Sequence, residues 1–232
     1  MFVVEGVRAT EELLRSGIPI TGALVAPQLH DAPRGRALHD ALNARGVTVD
    51  EVTARDFASA AQTESPQGII AIADVPDFSL EKLAPTTAPL LVLDGVQDPG
   101  NVGTILRTAA ALGASATIAL PGTVDLWNPK VVRAAMGAHF SHPAFDCTWD
   151  ELSAFLTNSG IELWVAAAGG TSVRDIRRPS RVAIALGNEG AGVSSAVAEA
   201  AARRVGIPIS ANTESLNVAI SAAILLYALG DA

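Results

Sequence analysis

The chain has 232 residues, 49% of them hydrophobic, a composition typical of a globular protein with a sizeable core. Its formal net charge of −8 excludes a uniformly basic nucleic-acid-binding surface, so any contact with RNA must be local. The longest apolar run, residues 218–229, is shorter than the ~20 residues of a membrane span, and the acidic N-terminus does not resemble a signal peptide. Because the single cysteine, Cys147, also suits a reducing compartment, we expect a cytoplasmic protein that does not enter a membrane.

The first third of the chain predicts a small α/β unit. The predicted elements are helices at 7–17 and 35–46, strands at 22–27, 47–52 and 68–75, and a short helix before the last strand. Three prolines then interrupt the periodicity between residues 76 and 89. We therefore predict an N-terminal domain at 1–79, a linker at 80–89 and a second domain at 90–232.

Short apolar strands alternate with helical patterns in the second domain. The predicted strands lie at 90–96, 115–121, 142–147, 162–168, 181–187 and 203–209. This alternation is typical of an α/β fold with a mainly parallel sheet that is covered on both faces. Such sheets bind ligands beyond the carboxyl ends of their strands. Three polar segments, 98–107, 187–194 and 210–217, directly follow predicted strands, and we expect them to lie together at this edge.

The first segment opens a helix in which Gly103 and Arg107 are four residues apart and therefore share a face. A glycine in a helix costs about 1 kcal/mol relative to alanine, which indicates that another group approaches this backbone closely. Taken alone, Asn101 is explained as an N-cap and Arg107 as half of a surface ion pair.

The second segment carries glycines at 187, 190 and 192. This GxxGxG spacing differs from the GxGxxG of dinucleotide-binding loops, so it disfavours a nicotinamide-dependent oxidoreductase. Glu189 is either a solvated carboxylate or, if it lies near Arg107, a group that orients the guanidinium.

The third segment leads into an apolar helix, predicted at residues 215–229, that must be buried on every side. Thr213 or Ser215 is a suitable N-cap. Asn217 would then lie inside the first turns, where asparagine is a poor helix former. Ser215 and Asn217 therefore predict the floor of a polar site.

In this order, NVGxxxR, GxExxG and IPxxxxxESLNV resemble the three signature motifs of the SpoU (TrmH) family of RNA 2′-O-ribose methyltransferases. The segment NPKVVRAAMGAHF resembles the stretch between the first two motifs of that family. FVVEGVRATEELL and QGIIAIADV resemble the small substrate-binding domain that many ribosomal-RNA members carry. The resemblance thus covers nearly the whole chain.

The resemblance implies an α/β fold with a deep C-terminal trefoil knot (SPOUT), S-adenosylmethionine bound in that knot, a homodimer and an RNA substrate, with 23S ribosomal RNA expected. Carried over by position, the catalytic residues are Asn101, Arg107, Glu189, Ser215 and Asn217. The positions that line the methyl donor are Leu186, Gly187, Asn188, Ile207 and Leu216. Arg107 acts either as a base made neutral by its pocket or as a fixed cation beside the developing alkoxide.

Two alternatives to a ribosomal-RNA methyltransferase stay open at this point. One is a tRNA ribose 2′-O-methyltransferase. The other is a non-catalytic RNA-binding or ribosome assembly factor, which the excess of acidic over basic side chains in residues 1–79 favours. Metal chemistry through His139, His142 and Cys147 lacks further ligands, so we expect no metal.

Overall fold

The computed structural model describes residues 1–84, 86–210, 212–213 and 215–230. The chain forms two compact units, and the first combines Met1–Asp77 with Trp127–Ser141. The second combines Phe78–Leu126 with the described residues from His142 onward. The domain boundaries at residues 79 and 90 stay a prediction.

The elements follow one another in an order close to the predicted one. From residue 2 to 73 they are β1 (Phe2–Glu5), α1 (Val7–Ser16), β2 (Ile20–Val25), α2 (Pro33–Ala44), β3 (Val49–Glu51), α3 (Ala54–Ala60) and β4 (Ile69–Ala73). From residue 90 they are β5 (Leu90–Asp94), α4 (Pro99–Ala111), β6 (Ala116–Leu120), α5 (Pro129–Ala135), β7 (Ala144–Asp146), α6 (Trp149–Ser159), β8 (Glu162–Ser172), β9 (Val182–Gly187), α7 (Ser195–Ala200), β10 (Arg203–Gly206) and α8 (Val218–Leu229). Short 3₁₀ helices lie at Pro27–Asp31, Leu80–Lys82, Ala138–Phe140 and Val173–Asp175.

The first unit is built on a four-stranded sheet in the order β1-β4-β2-β3. Strand β4 pairs antiparallel with β1 and β2, while β3 pairs parallel with β2. Sequence patterns missed β1, because four residues are too few to establish an alternation. Its inward side chains, Phe2 and Val4, are nevertheless buried in a core that also contains Leu13.

The second unit is a six-stranded parallel sheet in the order β10-β8-β9-β5-β6-β7. All six predicted strands are present, so the prediction of an α/β fold with a mainly parallel sheet is confirmed. Strands β5 and β6 are buried along their whole length, which explains why their sequences are apolar apart from Asp94 and Thr117. The predicted trefoil knot stays a prediction.

Part of the segment predicted to be a linker packs on this second unit. Leu80 and Leu83 are partly buried against its core, together with Phe78. Pro85 lies outside the described residues.

Helix α8 differs from the prediction at its start and in its burial. It begins at Val218, not at residue 215, and Asn217 is its N-cap. One face packs against α4, whereas Ile220, Ile224 and Tyr227 are 52%, 36% and 72% exposed. The described chain therefore covers only part of a helix that is apolar nearly all the way round. No described helix is long and apolar enough to cross a membrane.

Candidate active site

The candidate site lies where the strand order of the second sheet changes direction. Strands β5 and β9 are neighbours in the sheet, and their last residues, Asp94 and Gly187, are partners in the register. The loops that follow these two strands therefore leave the sheet side by side, at a switch point where open α/β sheets bind ligands. The Asp94 carboxylate is buried and its Oδ2 accepts a hydrogen bond of 2.6 Å from the backbone N–H of Ser194, which ties the two loops together.

Asn101 lies in the first turn of α4, and its side chain hydrogen-bonds one residue from each of the other two sequence motifs. The N-cap of α4 is Asp98, whose Oδ1 accepts from the Asn101 backbone N–H at 2.7 Å, so the N-cap role considered for Asn101 is wrong. Asn101 Nδ2 donates to Glu189 Oε1 at 2.7 Å, and Asn101 Oδ1 accepts from Asn217 Nδ2 at 2.9 Å. One side chain thus joins all three sequence motifs.

Asn217 fixes the direction of this hydrogen-bonded chain. Its Oδ1 accepts from the backbone N–H groups of Ala219 and Ile220, at 2.9 and 3.3 Å, and so caps α8. A cap requires an acceptor, so the amide nitrogen of Asn217 must face Asn101, and Asn101 must in turn present its own nitrogen to Glu189. The expectation that Asn217 lies inside the helix is wrong, because this residue ends the loop and starts the helix.

The loop after β9 is organised by Asn188. Its Nδ2 donates to the Gly95 carbonyl at 3.0 Å, and its Oδ1 accepts from the backbone N–H groups of Gly190 and Ala191. Its backbone forms two hydrogen bonds of 2.9 Å with Gly192. Since both ends of the Asn188 amide are used within the protein, a ligand in this loop would meet backbone groups and not this side chain.

Gly187 is required by the loop itself. A Cβ atom at this position would lie 2.1 Å from the carbonyl carbon of Gly192 and 2.3 Å from the backbone nitrogen of Val193. The absence of a side chain therefore lets the loop fold back onto the end of β9.

A cavity of about 590 Å³ opens beside these loops. Its lining residues are Val165–Ala168, Leu186–Val193, Ala198, Arg204, Val205, Ile207, Ile209, Ser215–Val218, Ser221 and Leu225. Every residue predicted to line a methyl donor belongs to this set, as do Glu189, Ser215 and Asn217. Glu214 lies outside the described residues.

The wall formed by β8 depends on an irregular pairing with β10. Arg204 is the register partner of Val165, but the next residue, Val205, is the partner of Thr171, so residues 166–170 leave the ladder. Three of them, Ala166–Ala168, line the cavity. Gly170 allows the strands to rejoin, because its Cβ would lie 2.8 Å from the Val205 backbone.

Arg107 and Asn101 are the two predicted site residues that do not line the cavity. Asn101 is joined to the lining by its hydrogen bonds with Glu189 and Asn217, whereas Arg107 lies further along α4 and is exposed. Gly103, four residues before it, is buried. The first motif therefore contributes a buried helix face and an exposed cation.

Two acidic residues with structural roles in the site were not singled out from the sequence. Asp98 caps α4 and Asp94 binds the loop after β9. Asp98 was detectable, because aspartate followed by proline is a typical start of a helix. Asp94 was not detectable, because the sequence does not show which loop will pack against the end of a given strand.

The histidines and cysteine considered for a metal serve other purposes. His142 is buried and hydrogen-bonds Thr117 Oγ1 through Nε2 at 2.8 Å. In the first unit, the ring of His139 packs against Trp127. Burial raises the pKa of the Cys147 thiol to about 11, with further contributions from the Glu151 and Asp146 carboxylates.

Comparisons with known proteins agree with this geometry. Residues 88–227 match the model of the SpoU rRNA methylase family, and residues 3–78 match the model of the RNA 2′-O ribose methyltransferase substrate-binding domain. A 23S rRNA (guanosine(2553)-2′-O)-methyltransferase from Bacillus subtilis (strain 168) is 35% identical over 98% of this chain and 88% of its own length.

Solved structures give the same result. An AdoMet-bound rRNA methyltransferase from Sinorhizobium meliloti is 29% identical with a TM-score of 0.86, covering 98% of this chain and 85% of that one. The SpoU methyltransferase AviRb from Streptomyces viridochromogenes, in complex with AdoMet, has a TM-score of 0.87 at 27% identity, covering 98% and 88%. The fold, the three assembled motifs and the matched models together show that the chain belongs to the SpoU rRNA methylase family.

Proposed function

We propose that this chain transfers the methyl group of S-adenosylmethionine to a ribose 2′-hydroxyl of 23S ribosomal RNA. The observation that carries the proposal is the hydrogen-bonded chain from Glu189 through Asn101 to Asn217 at the cavity, since it unites the three motifs of the family. The Bacillus subtilis relative named for this reaction covers nearly the whole chain, including the substrate-binding domain. A ribosomal substrate also supports a cytoplasmic location.

The cavity fits S-adenosylmethionine in size and chemistry. Its volume of about 590 Å³ is within the ~300–1,000 Å³ of typical cofactor sites. Leu186, Ile207 and Leu216 provide apolar walls, and the glycine-rich loop provides backbone groups. We assign Gly187 and Asn188 the role of holding that loop in shape. When bound, S-adenosylmethionine supplies a methyl group on a positively charged sulfur, which makes the methyl carbon electrophilic.

The residues around the cavity would position the 2′-hydroxyl for attack. In the transfer the ribose oxygen forms a bond to the methyl carbon as the carbon–sulfur bond breaks, and the hydroxyl proton leaves. Asn101 and Asn217 are held in one orientation by their shared hydrogen bond, and Ser215 lines the cavity together with Asn217. Such prior orientation of polar groups lowers the barrier because no rearrangement is needed during the reaction.

Arg107 is proposed as a fixed cation that binds the RNA backbone and stabilises the developing negative charge on the ribose oxygen. It is exposed on α4, where its planar guanidinium can donate several hydrogen bonds to phosphate oxygens. The hydroxyl proton would then pass to water. The competing version, in which Arg107 itself takes the proton, requires a partner molecule to exclude water from the guanidinium.

A second copy of the chain is proposed to cover the exposed face of α8. Ile220, Ile224 and Tyr227 follow one another at intervals of four and three residues and therefore form one apolar stripe. Exposure of such an apolar stripe to water is unfavourable in a monomer, whereas a homodimer interface removes the stripe from water. The homodimer expected from the family resemblance supports the same arrangement.

The first unit is proposed to bind RNA through a small number of residues. Several of its arginines are engaged within the unit: Arg34 forms a two-pronged ion pair with Glu11, and Arg15 pairs with Glu12. The segment 127–141 adds exposed Lys130 and partly exposed Arg133 to the unit without any carboxylate. Local positive charge of this kind is compatible with a unit that is acidic as a whole.

The decisive experiment is transfer of tritium from labelled S-adenosylmethionine to purified RNA. We expect labelling of 23S ribosomal RNA and a 2′-O-methylated nucleotide on mapping, and no labelling with Arg107→Ala. Labelling of tRNA alone would replace the substrate assignment by the tRNA alternative. Binding of S-adenosylmethionine and of RNA without transfer to either would identify a non-catalytic RNA-binding factor.

A further inference from the structure

Two histidines and a glutamate converge in the first unit, and none of them was assigned to methyl transfer. His30 lies in the 3₁₀ helix Pro27–Asp31, His39 lies in α2, and Glu51 is the last residue of β3. One ring nitrogen from each histidine and one carboxylate oxygen of Glu51 all lie within 4.8 Å of one another. The three residues are far apart in sequence, so only the fold brings their donor atoms together.

The backbone under His30 is held in place. Leu29, immediately before it, is a core residue with 1% exposure, and the Arg36 guanidinium donates a hydrogen bond to the His30 carbonyl. Gly35 lies so close to this segment that a Cβ would be 1.9 Å from the Leu29 carbonyl oxygen. His30 is therefore presented by a backbone that is fixed at two points.

The other two donors are also carried by regular elements. His39 follows Leu38 in α2, and both Leu38 and Leu42 are buried in the core of the unit. Glu51 is the register partner of Val25 in the parallel pairing of β3 with β2. Donors on packed helices and strands keep their separation, which is a requirement for a metal site.

The chemistry of the three donors matches a borderline transition-metal cation. Two imidazoles and one carboxylate are a donor set that Zn²⁺ accepts, with water in a fourth position. The two imidazole rings already contact each other edge to face, with centroids 5.0 Å apart. Asp40 Oδ1 lies 3.9 Å from His39 Nδ1, where a carboxylate can orient a ligating ring as outer carboxylates do in metalloproteins.

We propose that His30, His39 and Glu51 bind one Zn²⁺ ion in the first unit. Bond lengths of ~2.0–2.2 Å place neighbouring ligand atoms about 3.4 Å apart, so rotation of the side chains completes the site without moving the backbone. The ion links the 3₁₀ helix, α2 and β3.

The proposed role is stabilisation of a weak edge of the sheet. Strand β3 has three residues and stands at the end of the strand order, with β2 as its neighbour. A cation that binds the folded but not the unfolded unit shifts the unfolding equilibrium by mass action.

Other zinc ligands in the chain compete poorly with this group. The thiol of Cys147 stays protonated at neutral pH because burial raises its pKa, and a zinc ligand must be a thiolate. His142 already hydrogen-bonds Thr117. One equivalent of Zn²⁺ per chain is therefore expected.

The test is calorimetric titration of the full-length chain with Zn²⁺, with Mg²⁺ as the matched hard cation. Glu51→Gln removes an exposed carboxylate ligand, and Glu64→Gln removes an equally exposed carboxylate outside the group. His30→Ala and His39→Ala remove the imidazoles, and far-UV circular dichroism confirms that each variant is folded.

We expect one Zn²⁺ per chain, no heat with Mg²⁺, and an affinity at least about tenfold weaker in Glu51→Gln, His30→Ala and His39→Ala but unchanged in Glu64→Gln. The same Zn²⁺ concentration, in large excess over the chain, should raise the unfolding midpoint of the wild-type chain by about 5 °C and that of Glu51→Gln by clearly less. Absence of Zn²⁺ binding at several-fold molar excess overturns the proposal. So does equal affinity in Glu51→Gln and Glu64→Gln, or loss of affinity only when Cys147 is replaced.

Discussion

Asn217 uses opposite ends of one amide for two tasks, and substitution can separate them. Its oxygen caps α8 by accepting from two backbone N–H groups, and its nitrogen donates to Asn101. Asn217→Ala removes both contributions: about 1 kcal/mol for the cap and about 1 kcal/mol for the side-chain hydrogen bond, so the free energy of unfolding should fall by about 2 kcal/mol. Asn217→Asp keeps an acceptor at the helix N-terminus and loses only the side-chain hydrogen bond, so its free energy of unfolding should fall by about 1 kcal/mol.

The effect on turnover should follow the other end of the amide. In Asn217→Asp a carboxylate replaces the donor that lies 2.9 Å from Asn101 Oδ1. Asn101 must then turn its amide, so that its nitrogen donates to the new carboxylate in place of Glu189 and its oxygen faces Glu189. The net loss is one neutral hydrogen bond of about 1 kcal/mol, so the single-turnover rate should fall roughly 5-fold.

Urea unfolding and single-turnover methylation at saturating S-adenosylmethionine measure the two effects separately. Thr148→Ala is the matched control, because Thr148 caps α6 through its side chain and is not among the residues assigned to the site. It should cost about 1 kcal/mol of stability and leave the rate unchanged. A wild-type rate in Asn217→Asp would refute the argument that the Asn217 donor orients Asn101.

The remaining predictions concern the cation, the interface, the loop and the thiol. Arg107→Ala should lower the single-turnover rate by at least about 100-fold, with the S-adenosylmethionine affinity measured by calorimetry unchanged. Retention of most of the rate would remove Arg107 from catalysis. Partial rescue of Arg107→Lys at raised pH would favour the version in which Arg107 acts as the base. Ile224→Asp should convert a homodimer into a monomer in light scattering at micromolar concentration, whereas an unchanged mass would exclude the α8 stripe from the interface. Gly187→Ala should weaken S-adenosylmethionine binding at least about tenfold by displacing the loop. Gly22→Ala is the control and should bind normally, because Gly22 does not line the cavity and its Cβ would lie an ordinary 3.7 Å from the Thr48 carbonyl oxygen. Because burial raises the pKa of Cys147 from 9.0 to about 11, a thiol reagent at pH 8 should modify the native chain about 100-fold more slowly than the unfolded chain. Equal modification rates for the two would contradict the burial of this thiol. The free energy of unfolding contributed by the protonated thiol should be lost as pH rises from 9 to 11.

The strands of the second unit were predictable because burial on both faces leaves a strong signal in sequence. Runs such as residues 90–93 and 118–120 are apolar, and polar, glycine-bearing segments follow them. The same reasoning placed the three motif segments at one edge of the sheet, and the structure joins Asn101, Glu189 and Asn217 by hydrogen bonds.

Features that depend on partners distant in sequence were not predictable. The start of α8 was placed too early because a serine, a threonine and an asparagine within five residues all qualify as caps, and only the contact with Asn101 selects Asn217. Gly187 was predicted to line the methyl donor, and the structure adds a second reason for a glycine there, because its own loop folds back against this position. The grouping of His30, His39 and Glu51 has no sequence spacing that identifies it.

The hydrogen-bonded chain at the cavity also constrains the order of events as the protein folds. Its two bonds join residues separated by 88 and 116 positions, so both close very long loops. Contacts of this range form slowly, because chain entropy must be lost before they contribute any energy. Helices and strand pairs of the second unit should therefore appear well before the cavity is complete. Recovery of S-adenosylmethionine affinity during refolding should lag behind recovery of the circular dichroism signal, so that donor binding reports the last stage of folding.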